Sequence, residues 1–232
     1  MRAIRTILIT AVILGGLFVA ADRGAVWFAE KQAAEKIRDS QGLSGTPEVS
    51  IKGFPFLTQV ASSELDEVEV KLDGVTAGAG DRSVKVSGFD ATLHGVRIDS
   101  SFSSAVAGRA TGTAHLSYED LTKAAGDPDV SVAYSGTSGS QVKVTGKVTV
   151  AGQPVERSVV STVTVVNGGT IRVHADEVPS QGVPGAERKI REKTDFDRQI
   201  AGLPKGLKLD KVTATPSGVD VTLTGSDVNL AG

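Results

Sequence analysis

The stretch Val68-Glu69-Val70-Lys71-Leu72-Asp73 decides the fold class, because apolar and charged residues alternate in it with a period of two. Successive side chains of an extended strand point to opposite faces, so this pattern predicts a strand with one buried face and one face in water. The same alternation recurs along the chain at Val84/Val86, Val142/Val144, Val148/Val150, residues 159–165, Ile171/Val173, Leu207/Leu209 and Val219/Val221/Leu223. Most of the chain after residue 47 is therefore predicted to be antiparallel strands.

Three segments depart from this period and are predicted as helices. Residues 22–41 place apolar side chains on one face, and residues 117–125 begin with Ser117, a helix-capping residue. Residues 186–201 place Ile190, Phe196 and Ile200 on one side, opposite a dense polar face. The predicted fold class is therefore α+β, with one curved antiparallel sheet wrapped on amphipathic helices.

The amino terminus is typical of a membrane-targeting segment. Arg2 and Arg5 precede an uncharged apolar run over residues 7–21. As a helix this run spans about 22 Å against about 30 Å of hydrocarbon, which favours a cleaved signal. Apolar residues resume at 25–29, which favours an uncleaved anchor. We expect residues 1–23 to be a signal or anchor, and residues 24–232 to form one domain on the exported side of the cell membrane.

Composition excludes several kinds of function. The chain has 232 residues, a formal charge of −2 and no cysteine, so disulfides and thiolate sites are excluded and binding to nucleic acid is not expected. The sequence contains none of the G-x-S-x-G, H-E-x-x-H or Walker A motifs, and its three histidines are isolated from one another. We predict no catalytic residue, metal or cofactor, and a protein that is not an enzyme.

The most unusual string is Gly53-Phe54-Pro55-Phe56-Leu57-Thr58-Gln59, which holds two of the seven phenylalanines. Pro55 fixes its own backbone and cannot donate to a strand ladder, so both phenylalanines are expected at an edge or a bend. One interpretation is a rigid plug of the core. The other is an apolar lip at which a lipid chain enters.

That string, with residues 117–121 (SYEDL), 203–209 (LPKGLKL) and 218–221 (GVDV), resembles the LmeA-like phospholipid-binding family, cell-envelope proteins of actinobacteria. The resemblance implies a periplasmic, membrane-associated protein that binds phospholipids such as phosphatidylinositol and supports the maturation of lipomannan-type envelope glycolipids. It also implies similarity to tubular lipid-binding folds, in which a curved sheet wraps a long helix. The family supplies no catalytic residue to transfer.

The leading hypothesis is a lipid-binding protein that holds acyl chains in an apolar groove, where burial contributes about 0.8 kcal/mol per CH₂. The predicted lip is Phe54, Pro55, Phe56 and Leu57, and the predicted groove lining is Ile190, Phe196, Ile200 and Leu203. One alternative is an interaction module that docks an envelope enzyme. Another is a hydrolase or transferase that acts on envelope glycolipid, with His94, His115 or His174 as its base.

Overall fold

Strands dominate the computed structural model, which describes residues 2–41, 43, 45–77, 84–99, 104–137, 139–150, 153–178, 186–200 and 203–231. The elements in chain order are α1 Arg2–Gln41, β1 Glu48–Lys52, α2 Phe56–Ala61, β2 Glu64–Ala77, β3 Val84–Ile98, β4 Ala105–Ser117, α3 Tyr118–Ala125, β5 Val130–Tyr134, β6 Gln141–Val150, β7 Gln153–Val166, β8 Thr170–Ala175, α4 Ala186–Thr194, β9 Phe196–Gln199, β10 Leu207–Thr215 and β11 Gly218–Ala231. The α+β class predicted from the alternating pattern is confirmed.

The strands form two antiparallel sheets rather than the single sheet that we expected. The first sheet has the order β1-β2-β3-β4-β11-β10, and the second has the order β5-β6-β7-β8-β9. The backbone N–H of Leu209 donates to the carbonyl oxygen of Gly168 at 2.8 Å, which joins β10 to the β7–β8 turn of the second sheet. The alternating pattern marks strands but does not specify which strands pair, so the number of sheets was not encoded in it.

Two hydrophobic cores cover the inner face of the first sheet. The helix-side core packs α1 and α2 against β1 to β4 and includes Val26, Ala34, Phe56, Val68 and Leu93. The sheet-side core lies between the second sheet and β10 and β11, and includes Val144, Val163, Val212, Val221 and Ile190. One sheet face therefore has a helix over one part and a second sheet over another.

The buried positions of the first sheet change parity along one line. Leu65 and Val68 on β2 are both buried although they are three residues apart, and the same spacing separates Leu93 from Val96 on β3. These residues are in register, since Leu65 pairs with Val96 and Val68 pairs with Leu93. Gly95 lies between the two rows with φ +58°. A break in the alternation of this kind favours a bend in the strands, and the predicted curvature of the sheet stays a prediction.

Local chemistry sets the start of α3, as predicted, and the turn of the β7–β8 hairpin. The Ser117 hydroxyl accepts a hydrogen bond from the backbone N–H of Asp120 at 3.1 Å and caps α3. Asn167 and Gly168 adopt φ values of +53° and +65° in the hairpin, as a turn between paired strands requires.

The predicted helix over residues 186–201 is wrong in its second half. Helix α4 ends at Thr194, whose hydroxyl donates to the carbonyl oxygen of Ile190 at 3.0 Å. The chain then becomes β9, in which Phe196 pairs with Val173 of β8. Ile190 and Phe196 are six residues apart, a spacing that would place them on different faces of a helix. Pairing with β8 therefore outweighed the local helical tendency.

Helix α1 is a single element that runs through both predicted amino-terminal segments. Its first half is exposed throughout, and from Asp22 onward one side of it packs on the first sheet. Within the described residues, α1 is the one helix that is long and apolar enough to cross a membrane. A signal sequence passes the same test of length and composition.

Candidate functional site

The exposed apolar residues of the described chain are concentrated at one end of the molecule. Apart from Val160, the large exposed ones lie on α1 or in residues 53–59. The exposed fractions are 63%, 59%, 58% and 37% for Trp27, Phe28, Phe54 and Leu57. Trp27 and Phe28 lie about 9–10 Å along the helix axis beyond the apolar run. Aromatic residues at this depth are typical of a membrane–water boundary.

Asp22 ties the segment 53–59 to α1 where the apolar run ends. Its side chain is fully buried, and Oδ1 accepts a hydrogen bond from the backbone N–H of Leu57 at 2.9 Å. Arg23 donates to Oδ2 at 2.6 Å. Helix α2 has Pro55 at its N-cap, which provides no side-chain cap. Asp22 therefore supplies the carboxylate that the first turn of α2 lacks.

A second carboxylate fixes the strand that leads into this segment. Glu30, two turns further along α1, accepts a hydrogen bond from the backbone N–H of Ile51 at 2.8 Å. Ile51 belongs to β1, which is an edge strand of the first sheet. The segment 53–59 is thus held to α1 from both sides.

Most of the unusual string has a structural role. Gly53 has φ +93°, the Phe54–Pro55 bond is cis, and Phe56 is buried in the helix-side core. The Gln59 side chain is buried; its Nε2 donates to the carbonyl oxygen of Lys52 at 3.2 Å and its Oε1 accepts from the backbone N–H of Asp66 at 2.8 Å. Phe54 and Leu57 remain exposed. The core-plug interpretation therefore fits Phe56, and the lip interpretation fits Phe54 and Leu57.

The predicted groove-lining residues lie in the other core. Ile190 is buried in the sheet-side core, and Phe196, Ile200 and Leu203 are partly buried against it. Phe56, from the predicted lip, belongs to the helix-side core. The structure therefore does not place the two predicted groups in one cluster, and their contact with lipid stays a prediction.

A strip of the first sheet's inner face lies between the two cores, and the sequence did not single it out. It consists of Leu72, Phe89, Ala91, Gly112 and Ala114, which we call the inner-face band. The register places these residues on the face of Val68 and Val70, because Leu72 pairs with Phe89, Ala91 pairs with Gly112, and Phe89 pairs with Ala114. All five are only partly buried: Leu72 packs against the helix-side core, and Phe89 and Ala114 pack against the sheet-side core. The band is therefore an apolar, small-residue surface that the protein's own side chains cover incompletely.

A surface cavity of about 570 Å³ lies on α4 and is lined by Glu187, Arg188, Arg191 and Glu192. Arg191 is already engaged, because it donates to the carbonyl oxygen of Ala175 at 2.9 Å and to Glu187 at 3.2 Å. This arrangement matches the dense polar face that was predicted within residues 186–201. All four lining residues are charged, which does not favour a lipid chain there.

The three histidines do not converge. Each contacts a carboxylate: His94 lies 3.5 Å from Glu67, His115 lies 2.6 Å from Asp220, and His174 lies 2.8 Å from Asp195. On β4, His115 is six residues from the position that pairs with His94, about 20 Å along the strand. His174 lies on the second sheet. Among the described residues, no group of three or more His, Cys, Asp or Glu could hold a metal ion.

Comparison with known proteins identifies the family. A family model described as LmeA-like phospholipid-binding matches residues 20–224. Neither the curated proteins nor the solved structures include a match to this chain. The matched segment begins just before Asp22, includes the sheet-side core and all buried residues of the helix-side core except Val228, and extends into β11. Since it spans most of the 232 residues, the chain belongs to the LmeA-like phospholipid-binding family.

Proposed function

We propose that this protein is anchored to the cell membrane by α1 and holds the acyl chains of a phospholipid on the inner-face band. The observation that supports the proposal is the incomplete cover of Leu72, Phe89, Ala91, Gly112 and Ala114 between the two cores. Membership of a phospholipid-binding family supports the class of ligand.

The chemistry of the band suits a hydrocarbon chain. Ala91, Gly112 and Ala114 carry little or no side chain, and Leu72 and Phe89 provide the larger apolar surfaces. The Phe89 ring lies beside Gly112, with Cε2 3.5 Å from the position that a Cβ atom on this glycine would take. Burial of an acyl chain there contributes about 0.8 kcal/mol per CH₂, so two chains suffice for stable binding without a charged site. This mode of binding requires no catalytic group, and the proposed activity is binding rather than catalysis.

The residues predicted from the sequence take defined places in this proposal. Phe54 and Leu57, beside Pro55 and the buried Phe56, form the lip on the membrane side. Ile190, Phe196, Ile200 and Leu203 close the sheet-side end of the groove. The continuity of α1 through residue 21 supports an anchor over a cleaved signal, with the two sheets on the exported side. Phosphatidylinositol is the proposed lipid, and the maturation of envelope glycolipids the proposed role.

The test places a large side chain in the inner-face band and, as a control, the same side chain on the opposite face of the strand. We expect the full chain, extracted from membranes and washed, to retain phospholipid that is detected by native mass spectrometry. Ala91→Phe should lose most of that lipid, because its side chain points into the band. Thr92→Phe, at the next position and therefore on the opposite face, should retain it. Vesicles with and without phosphatidylinositol then test the choice of headgroup.

A chain that carries no phospholipid and takes none from either kind of vesicle would contradict the proposal. If the Ala91→Phe chain still supports the maturation of envelope glycolipids in cells, the alternative of a module that docks an envelope enzyme would be favoured instead. In that case, crosslinking in cells should recover one protein partner.

A further inference from the structure

The side chains of Phe54 and Leu57 are exposed and belong to neither core, although the rest of their segment is fixed by contacts within the protein. The backbone N–H of Leu57 is bound by Asp22, and the Thr58 hydroxyl donates to the carbonyl oxygen of Pro55 at 2.7 Å. The segment is therefore a rigid support that presents two apolar side chains to its surroundings. Rigid presentation of apolar side chains to water is unfavourable unless something covers them.

We propose that residues 53–59 form a bilayer-inserting loop, which places Phe54 and Leu57 in the headgroup and glycerol region of the membrane that α1 enters. Asp22 directly follows the apolar run and accepts a hydrogen bond from the backbone N–H of Leu57. Asp22 therefore sets the depth of this loop in the bilayer. The proposed partner is the lipid surface itself. The inference rests on the α1 anchor of the proposed function, and it does not depend on lipid held by the inner-face band.

Continuity with α1 identifies the lipid surface as the partner. The exposed side chains of α1 run from Ile4 to Val19 without a charged residue other than Arg5, and the loop adjoins the end of that surface. The loop and Trp27 lie on neighbouring faces, since Arg23 contacts the Phe54 ring and precedes Trp27 by one helical turn. A bilayer in which the apolar run lies therefore contacts the loop as well.

The charges around the loop match the phosphate level of a bilayer. The Arg23 guanidinium lies 5.3 Å from the Phe54 ring centroid, and the Lys31 ammonium lies 5.5 Å from the Trp27 ring. The neighbouring carboxylates of Asp22 and Glu30 are turned inward to the backbone of Leu57 and Ile51. The Asp22 carboxylate also accepts a hydrogen bond from Arg23 at 2.6 Å. A guanidinium has five N–H donors, so Arg23 can bind a lipid phosphate beside this contact, and the Lys31 ammonium over Trp27 is suited to the same ligand.

The single tryptophan of the chain makes the test direct. In a Trp27→Phe background, Phe54→Trp places one fluorophore on the loop, and Val160→Trp places one at an exposed apolar position of the second sheet. Each full-length variant is reconstituted into phosphatidylcholine vesicles that contain phosphatidylcholine brominated near the glycerol. We expect the fluorophore at position 54 to lose most of its emission to the brominated lipid and to resist aqueous iodide. The fluorophore at position 160 should show the reverse.

Quenching at position 54 by iodide, to the extent seen at position 160, would overturn the proposal. Protection from both quenchers would also overturn it, because protein rather than lipid would then cover the loop. Phospholipid content measured on the same preparations tests the inner-face band separately, so the failure of one proposal does not imply failure of the other.

The role of Asp22 is tested by a pair of substitutions in the Phe54→Trp, Trp27→Phe chain. Asp22→Asn keeps an acceptor for the Leu57 N–H, and we expect it to preserve quenching by brominated lipid. Asp22→Ala removes the acceptor, and we expect the fluorophore to become accessible to iodide while circular dichroism and the thermal midpoint confirm a folded chain. Equal quenching by brominated lipid in both variants would overturn the role assigned to Asp22.

Discussion

A Cβ atom on Gly53 would lie 2.5 Å from Nε2 of Gln59, the side chain that joins β1 to the start of β2. Gly53 also has φ +93°, a conformation that side chains disfavour. The first and last residues of the unusual string thus depend on each other. The absence of a side chain at position 53 makes room for the amide at position 59, and that amide fixes the loop between them.

Gly53→Ala should destabilise the protein by about 1–3 kcal/mol, because it adds backbone strain and displaces the Gln59 amide. The measurement is the free energy of unfolding from chemical denaturation of the detergent-solubilised chain. Gly45→Ala is the matched control, since Gly45 has nothing within 4 Å of its Cβ position. An equal effect at both positions would show that the space around Gly53 is not restricted.

Gln59→Leu should cost about 1–3 kcal/mol, because the part-buried N–H of Asp66 and carbonyl of Lys52 lose their partner. Leucine has a similar volume, so the change tests the hydrogen bonds rather than the packing. Gln199→Leu on β9 is the control, as Gln199 is exposed. We expect that change to alter the free energy of unfolding by less than about 0.5 kcal/mol. A similar loss at both glutamines would contradict the assigned role.

The sequence predicted the elements that depend on local chemistry. Alternation at Val68 to Leu72 identified β2, and Ser117 identified the start of α3, because period and capping are properties of neighbouring residues. Pairing over long distances was not predictable in this way. The second sheet and strand β9 depend on contacts such as Phe196 with Val173, which no short window of sequence contains.

The same division applies to the candidate site. The string 53–59 was recognisable as unusual, but its two phenylalanines have opposite environments that composition does not distinguish. Phe56 is 6% exposed and Phe54 is 58% exposed. The inner-face band could not be predicted from the sequence, because Ala91, Gly112 and Ala114 come from two strands and are ordinary residues in each. Only the register brings them together.

Strand β9, which was predicted as part of a helix, can be tested through the pKa of Asp197. Arg172 of β8 donates to both carboxylate oxygens of Asp197, at 2.8 Å and 2.6 Å. These hydrogen bonds, with the charge of the guanidinium, hold the pKa of Asp197 below its ordinary value of 3.8. The pair exists only if Asp197 lies on a strand beside β8, so its titration reports on the fold.

We expect the carboxyl carbon of Asp197, followed by NMR, to titrate below an ordinary aspartate, and Arg172→Gln to return its pKa to normal. Because the folded pKa is lowered, the pair stabilises the fold above the unfolded pKa, and this contribution disappears as the pH falls through the folded pKa. Both side chains are half exposed, so the effect on stability near neutral pH should be small. An unshifted Asp197 in the original chain would contradict the pairing of β9 with β8.

Phe54 and Phe56 separate stability from lipid contact within one three-residue span. Phe56→Ala should destabilise the chain by about 3–5 kcal/mol, because it leaves a cavity in the helix-side core. Phe54→Ala should change the free energy of unfolding by less than about 0.5 kcal/mol, since the ring is exposed and its contact with Arg23 is a weak surface interaction. Phe54→Ala should nevertheless reduce the phospholipid retained by the washed chain. Val160→Ala, which removes an exposed apolar side chain of the second sheet, should leave both quantities unchanged. If Phe54→Ala lowers stability as much as Phe56→Ala, the exposed ring belongs to the core and is not free to contact lipid.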